Sequence, residues 1–183
     1  MTSFSDLKTI LHNQVSGPST LRITNDIYFP TDGSVPEYGI ILKYPVRMVG
    51  ACSSTSIAIS GTVAAGTCML DAKGTARHFN VKTVLGSTAE VMFETLALVN
   101  GKVTEYTMGY DTYDDMGGAV YASDTVATRF TDVIFMNNTA PDFGGAVYAE
   151  YSGKATFSSC RFIGNKAEWV RSSPNSPTNL ILP

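Results

Sequence analysis

The chain opens with a helical period and then abandons it. Phe4, Leu7, Leu11 and Val15 fall three or four residues apart, on one face of a helix. Ser3 followed by Asp6 matches a capping pattern, and Gly17-Pro18 stops the run. A helix is therefore predicted over 3–15. From Ser19 the period changes to two. Leu21, Ile23 and Ile27, then Ile40 and Leu42, Val46 and Met48, Ile57 and Ile59, Leu70, Phe79 and Val81, and Val91 and Phe93 alternate loosely with polar residues. Turn residues at Asp32-Gly33, Pro36, Pro45, Gly50, Gly61, Gly66, Gly74 and Gly86 keep every strand short.

Beyond residue 116 the pattern repeats itself. Gly117-Gly118-Ala119-Val120-Tyr121-Ala122, Phe130 and Phe135-Met136-Asn137-Asn138 are followed by Gly144-Gly145-Ala146-Val147-Tyr148-Ala149, Phe157 and Phe162-Ile163-Gly164-Asn165. Every offset equals the step from 117 to 144, which is 27 residues. A fixed period in this range marks a solenoid, in which each copy covers the open face of its neighbour. A weaker copy lies upstream, where Phe93 to Gly101 aligns with Phe130 to Asn138.

Three apolar rows emerge: Phe93, Phe130 and Phe157; Leu96, Val133 and Cys160; and Leu98, Phe135 and Phe162. Strand alternation is taken to point all three inward and to leave Thr95/Asp132/Ser159 and Ala97/Ile134/Arg161 outward, with Ile134 out of place. Such rows suit parallel strands paired in register, one circuit apart, at about 4.8 Å. Gly117-Gly118 and Gly144-Gly145 suit a tight corner where a Cβ would collide or φ must be positive. Asn138 and Asn165 suit the next corner, as residues that tolerate the left-handed region and bond from coil to coil. The predicted fold is all-β, a right-handed parallel β-helix of about six coils. Residues 1–18 form its capping helix, 19–167 its coils and 168–183 an irregular tail.

The pairing of GGAV at 117–120 and 144–147 with FMNN and FIGN at 135–138 and 162–165 resembles the repeats of chlamydial polymorphic outer membrane proteins. The stretch from Met69 to Val81 is similar to the coil that often precedes them. The resemblance implies a pectin-lyase-type solenoid and a role in surface display and adhesion. The sequence departs from the family in showing no export signal and no outer-membrane barrel.

Composition narrows the chemistry. Charged residues are 16% and the net charge is −3, with no cluster of Lys or Arg, so a nucleic-acid surface is not expected. No apolar run is long enough for a membrane span. With two histidines and no CxxC pair, no metal or cofactor site is expected. Cys52 and Cys68, 16 apart among short strands, are candidates for a bridge between adjacent coils, the alternative being two half-buried thiols. Cys160 takes the repeat position of Val133 and reads as a small buried residue.

Enzymes of this fold need carboxylates converging from neighbouring coils. The outward rows Thr95/Asp132/Ser159 and Glu94/Thr131/Ser158 stack none. Asp71, Lys73 and His78, with Arg77, form the best polar cluster and read as a solvated corner. No catalytic residue is assigned. The period breaks once: Asn138 to Gly144 is six residues, whereas Gly101 to Gly117 is sixteen. The extra residues hold Tyr106, Tyr110, Asp111, Tyr113, Asp114 and Asp115, a candidate loop for sugar or calcium, or a plain acidic loop. The expected function is an extracellular or cell-surface β-helix module for adhesion or display. Its expected partners are glycans or proteins, and self-association through an exposed coil end is a further expectation. The alternative is a carbohydrate-active β-helix enzyme or its inactive relative. The three prolines of the tail suggest a piece of a longer stack, the alternative being a cap over the last coil formed by Trp169 and Leu180-Ile181-Leu182.

Overall fold

The structure is a computed structural model and describes residues 3–14, 19–36, 38–54, 57, 59–82, 90–104, 115–123, 127–150 and 154–167. The chain winds as a parallel β-helix, with every strand pair parallel. The first sheet stacks Ser19–Ile23, Val46–Gly50, Glu90–Glu94, Ala127–Thr131 and Lys154–Ser158. The second stacks Ile27–Tyr28, Cys68–Asp71, Leu96–Val99, Ile134–Met136 and Arg161–Ile163. The third stacks Ile40–Leu42, Phe79–Val81, Val120–Ala122 and Val147–Ala149. With five strands in each of the first two sheets and four in the third, the described residues make five coils.

Register is what makes the core. Leu21, Met48, Phe93, Phe130 and Phe157 are successive partners across the first sheet. The Phe93–Phe130 and Phe130–Phe157 ring centroids lie 5.1 and 5.0 Å apart with near-parallel planes. In the second sheet Ile27, Leu70, Leu98, Phe135 and Phe162 form the same kind of row, with Phe135 and Phe162 4.8 Å apart. Like side chains thus stack at the interstrand spacing. Full burial of Phe93, Phe130, Phe135, Leu70 or Leu98 removes apolar surface worth about 1.5–3 kcal/mol each, and Phe157 and Phe162 on the last described coil are partly buried.

Alternation alone cannot send both Phe93 and Leu96 inward, because their spacing is odd. The structure supplies the missing step. Thr95, Asp132 and Ser159 adopt φ of 54°, 53° and 53°, so each turns a left-handed corner between the first and second sheets. These residues are corners and not outward strand positions. The second corner also differs from expectation by one residue. Asn100, Asn137 and Gly164 hold the left-handed conformation (φ 55°, 55° and 61°). Asn138 and Asn165 follow them and turn inward.

Asn138 is fully buried and its amide Nδ2 donates to Asn165 Oδ1 (2.9 Å) and to Leu98 O (3.0 Å). Its Oδ1 accepts from Gly101 N (2.7 Å), and Asn165 Nδ2 donates to Phe135 O (3.0 Å). The asparagines therefore satisfy backbone groups that the corner removes from the sheets.

The glycine pairs divide their labour. Gly117 and Gly144 have φ of 71° and 63°. Gly118 and Gly145 leave no room for a Cβ, which at Gly118 would lie 2.6 Å from Thr139 N and at Gly145 2.5 Å from Lys166 C.

Helix α1 (Phe4–Asn13) is capped by the Ser3 hydroxyl, which accepts from Asp6 N (3.1 Å). It ends two residues before the expected boundary. Leu7 and Leu11 enter the core, and Phe4 packs on Phe29 with centroids 4.6 Å apart.

Ile134 is not misplaced. With Met69, Ala97 and Val99 it forms a second buried cluster on the outer face of the second sheet. Ile57, Ile59 and Val63 cover it from outside, so Ile57 and Ile59 belong to a strap and not to a strand. Arg161, on the last described coil, donates to Ser60 O (2.5 Å) and Thr62 O (3.3 Å) and pins the strap. Cys52 and Cys68 are joined by a disulfide at its base. Cys160 is a free, partly buried thiol whose pKa burial pushes up.

Candidate functional site

Of the polar cluster around residues 71–78, only Lys73 lies on a solvated corner; Asp71, Arg77 and His78 are buried. Arg77 and His78 have no exposed surface and Asp71 is 5% exposed. Their register explains why. Phe79 pairs with Val120, so Arg77 and His78 stand where the next coil has Gly118 and Ala119. Bulky side chains at these positions must go into the stack or across its face.

His78 goes in. Its Nε2 donates to Leu70 O (2.9 Å), and its ring lies 5.4 Å from Phe29. Gly101 makes the room: a Cβ there would sit 2.8 Å from His78 Nδ1. Nδ1 has no hydrogen-bond partner among the described residues. Burial lowers the imidazole pKa from 6.5 to about 4, so the ring is neutral at physiological pH.

Asp71 stays at the rim. Burial pushes its carboxyl up, but bonds from Lys73 Nζ (2.7 Å), Asn100 Nδ2 (2.9 Å) and Lys73 N (2.9 Å) outweigh this and hold it below the usual value. Lys73 also lies over the Tyr28 ring at 4.6 Å. Asp71 is therefore fully engaged by structural partners.

Arg77 goes across the third sheet, and this places it at the base of the insertion. Its Nε donates to Gly117 O (2.8 Å) and its Nη2 to Met116 O. These carbonyls are the C-terminal stem of the segment that breaks the period. The N-terminal stem is held by the adjacent residue: Lys102 N donates to Ala76 O (3.0 Å), and Val103 N to Thr139 O (3.1 Å). Asp142 N donates to Asp115 O (3.1 Å), and Gly117 N to Phe143 O (2.9 Å), tying the stem to the following coil as well.

An aromatic platform lies beside these stems. Tyr121 and Tyr148 are register partners on the outer face of the third sheet and stack with centroids 5.9 Å apart. Phe143 adds a third ring 6.2 Å from Tyr148. The Arg77 guanidinium sits 5.2 Å from the Tyr121 ring centroid, a cation–π geometry. Tyr121 Oη donates to Glu150, and burial, followed by that carboxylate, pushes the phenol pKa far up. Asn80, in register with Tyr121, is 2% exposed, and its Oδ1 has no partner among the described residues.

Of the candidate loop, Asp115 is half-buried at the stem. Tyr106, Tyr110, Asp111, Tyr113 and Asp114 lie outside the described residues. Among the described residues no three His, Cys, Asp or Glu side chains gather as metal ligands, and no helix is long and apolar enough to cross a membrane. Sequence reasoning missed the Arg77–Tyr121–Glu150 array. Its one legible sign was Tyr121 and Tyr148 recurring at an outward strand position.

Residues 132–150 match the family model of the Chlamydia polymorphic membrane protein (Chlamydia_PMP) repeat. The matched span runs from the left-handed Asp132 through the buried Asn138 and the Gly144-Gly145 corner to Glu150. No curated protein and no solved structure matches the chain.

Proposed function

The chain carries a polymorphic-membrane-protein-type repeat wound into a parallel β-helix, and from this premise we propose that it is a non-catalytic module for adhesion or ligand display at the cell surface. The insertion between Lys102 and Met116 is its recognition element, and the partner is a surface glycan or protein. One observation carries this reading: two consecutive residues of the preceding coil, Ala76 and Arg77, hold both stems of the insertion. A segment clamped at both ends onto a stack of coils is presented with little freedom at its base, which lowers the entropic cost of binding. Insertions in solenoids commonly carry such contacts. Further support comes from chemistry that is occupied elsewhere. Arg77 and His78 are inaccessible to a substrate, and Asp71 is engaged by Lys73 and Asn100. The Cys52–Cys68 disulfide suits an oxidising, extracytoplasmic compartment.

The test compares binding to a glycan array and to cultured cells for three proteins: wild type, a variant lacking residues 104–114, and Arg77→Met. Binding lost in the deletion and weakened in Arg77→Met, with unchanged circular dichroism, is the expected result. Equal binding by all three refutes the role of the insertion.

A further inference from the structure

The chain holds one Asn-x-Ser/Thr triplet without proline in the middle, Asn137-Asn138-Thr139. The stack allows it to be compared with its neighbours position by position. Val99, Met136 and Ile163 are register partners in the second sheet, so the triplets that follow them occupy the same corner on three successive coils. These are Asn100-Gly101-Lys102, Asn137-Asn138-Thr139 and Gly164-Asn165-Lys166. The fold accounts for the middle residue, since Asn138 is buried and bonded to both neighbouring coils. It does not call for the outer two. The corner accepts Gly164 (φ 61°) as well as Asn137 (φ 55°), and Thr139 pairs in register with Lys102 on one side and Lys166 on the other. Asn100 and Asn137 also differ in use. Asn100 Nδ2 donates to Asp71 Oδ1 (2.9 Å), whereas the Asn137 side chain is exposed and has no hydrogen-bond partner among the described residues.

Space is provided as well. Gly164 has no side chain to meet Asn137, and a Cβ there would lie 2.6 Å from Asn137 Oδ1. A depression of about 330 Å³ opens at the corner, lined by Lys73, Asn100, Lys102, Asn137 and Thr139. A bulky, hydrated group on Asn137 therefore stands clear of the core and leaves the Asn138 bonds intact. We propose that Asn137 is the acceptor of an N-linked glycan, with Thr139 completing the signal. The co-substrate is an oligosaccharide carried on a lipid pyrophosphate. Asn137 Nδ2 forms a bond to the anomeric carbon of the first sugar and loses one proton. The bond from that carbon to the pyrophosphate oxygen breaks, and the lipid pyrophosphate departs. Transfer requires export through a glycosylating compartment, a premise shared with the display reading and one that the Cys52–Cys68 disulfide supports.

The experiment directs the full chain, behind a cleavable leader peptide, into the secretory route of eukaryotic cells and reads its mass. Wild type should carry one glycan. Peptide N-glycosidase should remove it and leave a carboxylate at position 137, which peptide mapping locates. Asn137→Gln and Thr139→Ala should each abolish the modification, and Thr139→Ser should retain it. Occupancy is read on whole-cell protein, because transfer precedes folding and a variant that folds poorly still reports. Wild type that loses its leader without gaining a glycan would overturn the proposal, as would a glycan that survives in Asn137→Gln or Thr139→Ala. A glycosylated protein that fails to bind cells would refute the display reading and leave the acceptor assignment standing.

Discussion

Acid should destabilise this protein in a window set largely by one side chain. His78 is wholly buried, and its pKa falls from 6.5 in the unfolded chain to about 4 in the fold. Between these values the unfolded state holds a proton that the folded state refuses. Stability is therefore complete above pH 6.5 and declines as the pH drops, by about 1.4 kcal/mol per pH unit, levelling near pH 4. The whole window is worth about 3 kcal/mol, a large share of the stability of a domain this size. Asp71 acts lower. Its depressed pKa contributes stability that is present above the ordinary carboxylate value of 3.8 and lost only below it. His12, the other histidine, is exposed on α1. Urea denaturation at intervals from pH 4 to 7.5 reads the slope directly. His78→Phe keeps an aromatic ring beside Phe29 and gives up the bond to Leu70 O, at a cost of about 1 kcal/mol. Its stability should be nearly flat across the window. A wild type that is flat from pH 6.5 to 4.5, or a variant with the wild-type slope, would refute the reasoning.

Four further outcomes are expected. Asn138→Ala strips partners from Gly101 N, Leu98 O and Asn165 at once, and should cost about 2–4 kcal/mol in chemical denaturation. Opening the Cys52–Cys68 bridge by reduction, or replacing both with Ser, frees a 16-residue loop and should cost about 3 kcal/mol in urea melts. Arg161→Ala unpins the strap, so amides of residues 59–66 should exchange faster while global stability moves by less than about 1 kcal/mol. Gly118→Ala places a Cβ against the backbone of Thr139 and Gly145, and should destabilise by more than about 3 kcal/mol, read as loss of soluble, cooperatively unfolding protein.

What was legible in the sequence was whatever repeats. Phe93, Phe130 and Phe157 recur because each must sit on the next, and a coil period is visible wherever the same packing problem is solved again. The corners were harder. Left-handed Thr95, Asp132 and Ser159 carry no shared residue type, so nothing in the alternation announces the change of phase that turns Leu96 inward. At the second corner the repeated Asn138 and Asn165 drew attention, yet the left-handed residues are their variable predecessors. The strap over Met69, Ala97 and Ile134 was illegible because it occurs once. Ile134 is an apolar residue on an outer face because Ile57, Ile59 and Val63 cover it, and nothing near it in the sequence announces that cover. The burial at residues 71–78 is illegible in the sequence for a related reason. Arg, His and Asp ordinarily mark a wet surface, and here the absence of the usual Gly-Ala at the same coil position sends Arg77 and His78 under cover.

The in-register stack is open to one direct observation. In protein that is perdeuterated except for protonated phenylalanine, nuclear Overhauser spectra should show ring-to-ring contacts for Phe93–Phe130, Phe130–Phe157 and Phe135–Phe162, whose centroids lie 5.1, 5.0 and 4.8 Å apart. Well-assigned spectra in which these pairs show no contact would contradict the winding of one coil per repeat.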